Sequence, residues 1–397
     1  MGLWENCVQT FDAGLQASGL RVVRSQRSIA TGITTTKMNT IESPPSLKFI
    51  TLGNKQTNIS TDGSDSSSNL GFKFRVISYN ILAQVYVKSS NFPHSPPSCL
   101  KWKTRSNAVS EVLKSFNADF LCLQELDKFD EFYKDKIMNY GYSCIYVKRS
   151  RQKLDGCGIF YNQRRAELIS KVEIEYNDLV DILSSGSASD KNENTDELTN
   201  DLPKHWPYSW RNSSDAAVRL ERDCVGLFAA FTLNCPSQNI IILANTHIYW
   251  DPKWADVKLA QVEYLLIRLA RYREEISKKY NCNPSIILAG DFNSLPGDMV
   301  YKHLTSSEKE NELDLNLCSL YASLGGEPAF TNYTPDFTGT LDYIFISKNS
   351  ELKPVSLLEI PGPDSPKLDG GLPNTNYPSD HLPIGADFEV CTSSKPL

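Results

Sequence analysis

No apolar run in this chain comes near the roughly 18 residues that a membrane-spanning helix requires, so a helical span is not expected. Paired cysteines are missing as well: the ten cysteines include no C-x-x-C, and Cys122, Cys157 and Cys224 sit inside apolar stretches. That argues against a zinc ribbon or a disulfide framework and for buried thiols in a reducing compartment. The chain has no excess of positive charge. At a net charge of −6 it cannot hold nucleic acid by overall charge, and a phosphate-bearing substrate must be met by a local site. A G-x-S-x-G elbow is absent, and no Ser-His-Asp or Cys-His order is evident, which disfavours acyl transfer. The leader lacks the period of leucine-rich repeats.

What remains, 397 residues with 40% hydrophobic and 22% charged side chains, is enough for one large core or two smaller ones. Residues 1–70 are poor in large apolar side chains and end in the Ser/Asp/Asn-rich run 61–69, a composition expected of a disordered leader and linker. Between Asp12 and Glu42 the leader has no acid but carries Arg21, Arg24, Arg27 and Lys37, as an organelle transit peptide does; Glu5 and Asp12 count against import. Residues 71–392 read as one catalytic domain with a disordered insertion at 181–202, followed by a tail, 393–397.

Within that domain a pattern recurs. Ser285 to Ala289 is a buried strand that ends in Gly290-Asp291-Phe292-Asn293 and then a Pro-Gly turn. Alternation puts Asp291 and Asn293 on one side and turns Phe292 into packing. Taken alone, this is equally an Asx-rich turn capping the next helix, with Asp298 as the cap. Other strands, however, also end in polar groups: Phe72–Leu82 delivers Asn80, Asp119–Leu126 delivers Glu125, and Asn239–Ile248 delivers His247. A strand from Gly339 to Ile346 carries Asp342, and Asp380-His381 enters the last strand, so that Asp342 and Asp380 are both expected within reach of one imidazole. Helices are expected from Thr104, capped by Thr104 or Ser106, and over Asp256–Lys278. A basic loop containing Lys148, Arg149, Arg151 and Lys153 joins two further strands and could contact phosphates. Carboxylates and amides without cysteine form an oxygen-rich set, suited to Mg²⁺ or Mn²⁺ rather than zinc, and to phosphodiester hydrolysis by an oriented water.

Five motifs in order, Ser78-Tyr79-Asn80-Ile81-Leu82-Ala83, Leu123-Gln124-Glu125-Leu126, Gly290-Asp291-Phe292-Asn293-Ser294, Leu341-Asp342-Tyr343-Ile344 and Ser379-Asp380-His381-Leu382-Pro383, resemble the endonuclease/exonuclease/phosphatase superfamily. Asn245 to Pro252, Val257 to Gln261 and Thr331 to Gly339 resemble its carbon catabolite repressor, nocturnin and Angel branch. The resemblance implies a four-layer α/β sandwich, two packed mixed β-sheets flanked by helices. It also implies a Mg²⁺-dependent deadenylase that releases 5′-AMP from poly(A), acting as a monomer in the cytoplasm and nucleus. By motif, Glu125 would hold the metal with Asn80 beside it, and Asp380 would approach a second ion. Asp291 would orient water, Asn293 and His247 would contact phosphate or base, and His381, oriented by Asp342, would stabilise the transition state. Pro252 and Phe337 resemble the pair that sandwiches adenine; Asn332, Lys153 and Arg151 are expected to touch substrate. Without leucine-rich repeats, docking to a deadenylation complex is not expected. Lys153 to Cys157 also resembles nocturnin, which implies an alternative: removal of the 2′-phosphate of NADPH. A non-catalytic RNA-binding scaffold is disfavoured, because every motif acid and histidine is present.

Overall fold

In the strand Phe72–Asn80, even-numbered Phe74 and Val76 and odd-numbered Ile77 and Tyr79 are all buried, so both faces of the strand need apolar cover. The computed structural model, which describes residues 47–53, 71–185, 218–306, 315–348 and 350–390, supplies that cover with a second sheet on one face and helices on the other. The transit-peptide reading, and most of the expected leader, insertion and tail, fall outside the described residues.

One sheet contains β1 (Phe49–Thr51), β2 (Phe72–Asn80), β3 (Phe120–Gln124), β4 (Tyr142–Lys148), β5 (Gly156–Asn162), β14 (Leu352–Leu358) and β15 (Ile384–Val390), in the order β1-β14-β15-β2-β3-β5-β4. The other contains β6 (Ala166–Glu175), β7 (Val225–Leu233), β8 (Ile240–His247), β9 (Ser285–Asp291), β10 (Leu317–Ser319) and β13 (Asp342–Ser347), in the order β10-β13-β9-β8-β7-β6. Each sheet is mixed: β2 runs parallel to β3 and β8 parallel to β9, while the other pairings are antiparallel. A separate two-stranded ribbon joins β11 (Asn332–Tyr333) to β12 (Thr338–Gly339).

The sheets pack face to face through Val76, Phe120, Cys122 and Ile159 on one side and Leu227, Phe231, Leu243, Ile287 and Ile344 on the other. On the outer face of the six-stranded sheet lies the helix Ala255–Tyr280, which buries Val262, Leu266 and Leu269 against Phe228, Ile242 and Leu288. The helix Trp102–Ser115 buries Val109, Val112 and Leu113 against Ile77, Tyr79 and Leu123 of the seven-stranded sheet. The four expected layers are therefore present. The thiols of Cys122, Cys157 and Cys224 are free and buried between and beside them.

Three expectations need correction. The domain does not begin at residue 71: β1 pairs with β14, and the Arg75 guanidinium lies 3.7 Å above the Phe49 ring. Three residues are too few to show a period, so only the tertiary pairing reveals them. Residues 181–185, assigned to the insertion, belong to the helix Asp178–Ser185, which buries Leu179 and Ile182. The helix expected from Thr104 starts at Trp102 with Lys101 in the capping position and no side-chain cap; Ser106 bonds back to the Lys103 carbonyl instead.

Gly290 shows how tightly β8 and β9 approach. It lies in register with Thr246, and a Cβ on it would sit 2.1 Å from the Thr246 carbonyl oxygen. Gly290→Ala is therefore expected to cost at least about 1–3 kcal/mol, as overpacking against unyielding backbone does. Urea unfolding would measure it, and a variant as stable as wild type would show that the two strands can move apart.

Candidate active site

Strand parity aims the polar ends inward. On β9 the inter-sheet side chains are Ile287, Ala289 and then Asp291; on β8 they are Leu243, Asn245 and His247; on β13 they are Ile346, Ile344 and Asp342. Register sets His247 and Asp342 directly opposite Asp291 on its two sides, so the three form one row at the rim of the six-stranded sheet. Across the gap, β2 and β3 end in the paired Asn80 and Gln124. Beneath the rim, Gln124 Nε2 donates to Asn245 Oδ1 at 2.7 Å and Asn245 Nδ2 donates to the Leu123 and Gly158 carbonyls, both at 2.9 Å. This buried amide pair closes the apolar core and floors the site.

Asp291 is where the two sheets meet. Its Oδ2 accepts from Asn80 Nδ2 at 3.0 Å and lies 3.5 Å from His247 Nε2 and 3.7 Å from His381 Nε2; its Oδ1 accepts the Asn293 N–H at 2.9 Å. Asn80 Nδ2 also donates to Glu125 Oε1 at 3.0 Å, while Glu125 Oε2 accepts the Ala83 N–H at 2.9 Å. Glu125 and Asn293 both adopt left-handed backbone, φ 54° and 45°, which re-aims each side chain just beyond its strand. Asn293 is pinned further: its Nδ2 donates to the Ile248 carbonyl at 3.0 Å, and its own carbonyl accepts from buried Lys258 Nζ at 2.6 Å.

His381 arrives from a loop before the last strand. Ser379 Oγ fastens that loop, donating to the Asn80 carbonyl at 2.7 Å and accepting the His381 N–H at 3.2 Å. Buried Arg105, from the helix Trp102–Ser115, also binds it, bonding the carbonyls of Ile81, Leu82 and Pro378. His381 Nδ1 lies 2.7 Å from Asp342 Oδ2. Of the two carboxylates expected to orient the imidazole, Asp342 bonds it and Asp380 acts on it through space.

The electrostatics follow from burial and like charge. Glu125 is pushed up to about 7, chiefly by desolvation and then by the Asp380 and Asp155 carboxylates. Desolvation, with Asp342 adding repulsion, also raises Asp291. Burial lowers His247 and leaves it neutral near pH 7. Burial opposes the charge on His381 too, but Asp342 and Asp291 outweigh it and hold the group well above the ordinary histidine value. Such carboxylates call for a cation. Asp342 Oδ1 is buried with no hydrogen-bond partner, and oxygens of Asp291 and Asp342 lie within 4.8 Å of each other and of a His381 nitrogen. With His381 held protonated, the ligands on offer are the carboxylate oxygens of Glu125, Asp291 and Asp342, an oxygen-rich set that fits a hard divalent ion.

Around this row lies a cavity of about 650 Å³. Besides Glu125, His247, Asp291, Asn293 and His381, it is lined by the expected Asp380, Asn332, Lys153 and Phe337. Phe337 sits at the tip of the β11–β12 ribbon, where its N–H donates to Thr334 Oγ1 at 3.1 Å. Two expected substrate residues are not among the lining. Pro252 is exposed at the start of the turn Pro252–Trp254. Arg151 is engaged by Glu221 at 2.6 Å and Asp223 at 3.6 Å, since the nearest acids outcompete a distant ligand for an exposed cation. Arg149, expected in the basic loop, also lines the cavity, as do Arg222, Tyr249 and Trp250, to which the sequence assigned no role. Arg149 is almost fully buried, bonded to Asp155 and to the carbonyls of Arg222 and Asp223. In the sequence it looked like one more loop cation; only the apolar strand beginning at Val225 hinted at what lies over it.

Comparison with known proteins agrees with this geometry. The model of the Endonuclease/Exonuclease/phosphatase family matches residues 77–381. The chain is 55% identical over 328 residues to carbon catabolite repressor protein 4 homolog 4 of Arabidopsis thaliana, covering 81% of this chain and 78% of that one. It is 31% identical over 348 residues to the CCR4-Not complex 3′-5′-exoribonuclease subunit Ccr4 of Saccharomyces cerevisiae, covering 80% of this chain but 38% of that protein, well under two thirds of its length. Among solved structures it is similar to ANGEL2, described as a 2′,3′-cyclic phosphatase and bound to adenosine-2′,3′-vanadate, with TM-score 0.62, 25% identity, and coverage of 81% of this chain and 96% of that one. The human Nocturnin catalytic domain shares the fold at TM-score 0.56 and 24% identity, over 88% of this chain and 99% of that one. Because the family match runs from the strand that carries Asn80 to the loop that ends in His381, the chain belongs to the endonuclease/exonuclease/phosphatase family.

Proposed function

We propose that this protein is a divalent-cation-dependent 3′-to-5′ exoribonuclease that shortens poly(A) and releases 5′-AMP, with Mg²⁺ as the ion and Mn²⁺ able to replace it. The observation that carries the reading is the Asp291 carboxylate, buried between an amide of one sheet and two imidazoles, beside an elevated Glu125. The similarity to proteins named carbon catabolite repressor 4 and Ccr4 exoribonuclease supports the choice of substrate. The same reading puts its action in the cytoplasm and nucleus, where mRNA is turned over.

Glu125, with Asn80 beside it and Asp380 nearby, would hold the cation, which when bound neutralises charge on the scissile phosphate. Asp291, more basic than an exposed carboxylate, orients a water on the phosphorus and accepts its proton. His381, kept cationic by Asp342, faces the charge that grows on the phosphoryl oxygens. Neutral His247 and the pinned Asn293 amide offer hydrogen bonds to the same group. The P–O3′ bond breaks, the shortened RNA departs with a free 3′-hydroxyl, and the terminal nucleotide leaves as 5′-AMP. Phe337 offers its exposed ring, on the cavity wall, to the terminal adenine.

A second reading, a phosphatase acting on an adenosine 2′-phosphate such as that of NADPH, draws on one observation: the similar ANGEL2 structure holds adenosine-2′,3′-vanadate. Purified protein with Mg²⁺, offered A-tailed RNA and NADPH side by side, separates the two. Single-nucleotide laddering supports the exoribonuclease; free phosphate without laddering supports the phosphatase.

Asp291→Asn is expected to lower turnover of A-tailed RNA at least about 100-fold, the lower bound for removing a general base, and Glu125→Gln to lower it by loss of the cation's carboxylate ligand, while the melting transition stays cooperative. Wild-type rates in either variant would remove that residue from the machinery. Phe337→Ala should reduce the preference for poly(A) over poly(U) by the stacking energy of one base, about 1–3 kcal/mol; equal selectivity would end its assignment.

The elevated Glu125 also makes cation binding depend on pH. A carboxyl whose folded pKa lies above its unfolded value stabilises the fold while protonated and loses that contribution as pH rises from about 4 through 7. Chelator-treated protein should therefore be less stable at pH 8 than at pH 6.5, and Mg²⁺ should raise the melting temperature more at pH 8, where no proton competes for the site. An equal Mg²⁺ shift at both pH values would place the ion elsewhere.

A further inference from the structure

Among the described residues, two aromatic side chains are exposed, Trp250 at 64% and Phe337 at 40%, and both line the same cavity. A single exposed ring needs no explanation, but two on one cavity wall mark a binding surface. Phe337 has a role in the proposed reaction; Trp250 has none.

The footing of Trp250 is rigid although its indole is free. The Tyr249 N–H donates to Gln261 Oε1 at 2.9 Å, which ties this turn to the long helix. The Tyr249 ring meets Trp250 at 6.1 Å and Trp254 at 6.0 Å, and the Arg222 guanidinium lies 5.2 Å above Tyr249 and 4.1 Å above Trp254. Arg222 lines the cavity as well. Its Nη1 donates to the Glu221 carbonyl at 3.2 Å, while its Nε is buried without a hydrogen-bond partner. An exposed indole on a braced ledge, next to a guanidinium that lines the same cavity, suits a base and the phosphate attached to it.

We propose that Trp250 is the stacking platform for a second nucleobase, that of the nucleotide immediately 5′ of the one released, with Arg222 serving the phosphate that joins the two. This rests on the exoribonuclease reading and adds to it: the site grips two consecutive nucleotides of single-stranded RNA. It selects adenine through the first and accepts any base at the second, because every base offers a π face.

The test compares kcat/KM for hexaadenylate with kcat/KM for the p-nitrophenyl ester of 5′-AMP, whose leaving group carries no sugar or base for Trp250 to hold. Trp250→Ala should lower the ratio of the two values about tenfold or more, mainly through KM for hexaadenylate, and Trp250→Phe should restore most of it. Because the indole is exposed, neither variant should shift the melting temperature. A ratio unmoved in Trp250→Ala, or a Phe variant as poor as the Ala variant, overturns the proposal. Wild-type protein that hydrolyses neither compound overturns the exoribonuclease reading and this inference with it, whereas wild-type turnover with an unmoved ratio overturns this inference alone.

Discussion

A carboxylate taken out of water must be repaid in hydrogen bonds or charge, and Asp291, 1% exposed, is the point at which this molecule meets that demand. Its two oxygens are served by four separate parts of the chain: the backbone N–H of Asn293, the amide of Asn80 in the opposite sheet, and the imidazoles of His247 and of His381. None of these groups is near another in sequence except Asn293. The fold thus holds together at its rim because that one charge is shared across both sheets, and every group that serves it also points at the cavity.

The depth at which polarity begins is equally determined. From Ala289 to Asp291 and from Leu243 to Asn245, one step along the inner face changes the side chain from apolar to hydrogen-bonding. The Gln124–Asn245 pair spans the gap there, with Gln124 Nε2 also donating to Ser78 Oγ at 3.1 Å. Apolar residues in these places would let the sheets close by packing alone. The amides fix the separation by direction and length, which a site requiring sub-ångström placement of opposed groups needs.

Much of this was legible before any coordinates. A core strand that stops in Asn, Glu, His or Asp violates the expected pattern, and strand parity then fixes the face, so Asn80, Glu125, His247 and Asp291 could be gathered from the chain alone. Register could not: nothing local pairs Asp342 with Asp291 or brings Asn332 beside His381. Buried cations were opaque for the same reason. Arg149 was expected only as one cation of a basic loop, and its burial against Asp155 and the Arg222 and Asp223 carbonyls, like that of Arg105 against the carbonyls of Ile81, Leu82 and Pro378, depends on loops that only the folded chain brings together. Arg151 failed in the opposite direction, since its neighbours Glu221 and Asp223 come from a distant part of the chain.

That failure bears on how an acidic protein can receive a polyanion. Glu221 and Asp223 line the cavity beside Arg222, and left unpaired they would repel a phosphate chain across a few ångströms of poorly screened space. Arg151 lies outside the cavity and neutralises both from behind, while Arg149 bonds the Asp223 carbonyl. Arg149 is itself paired to Asp155, so Lys153 and Arg222 carry the positive charge of that wall. The net charge of −6 over the whole chain discourages indiscriminate binding to nucleic acid. Under the exoribonuclease proposal, cations set inside the cleft then favour a strand that can thread into it, as a single-stranded 3′ end can.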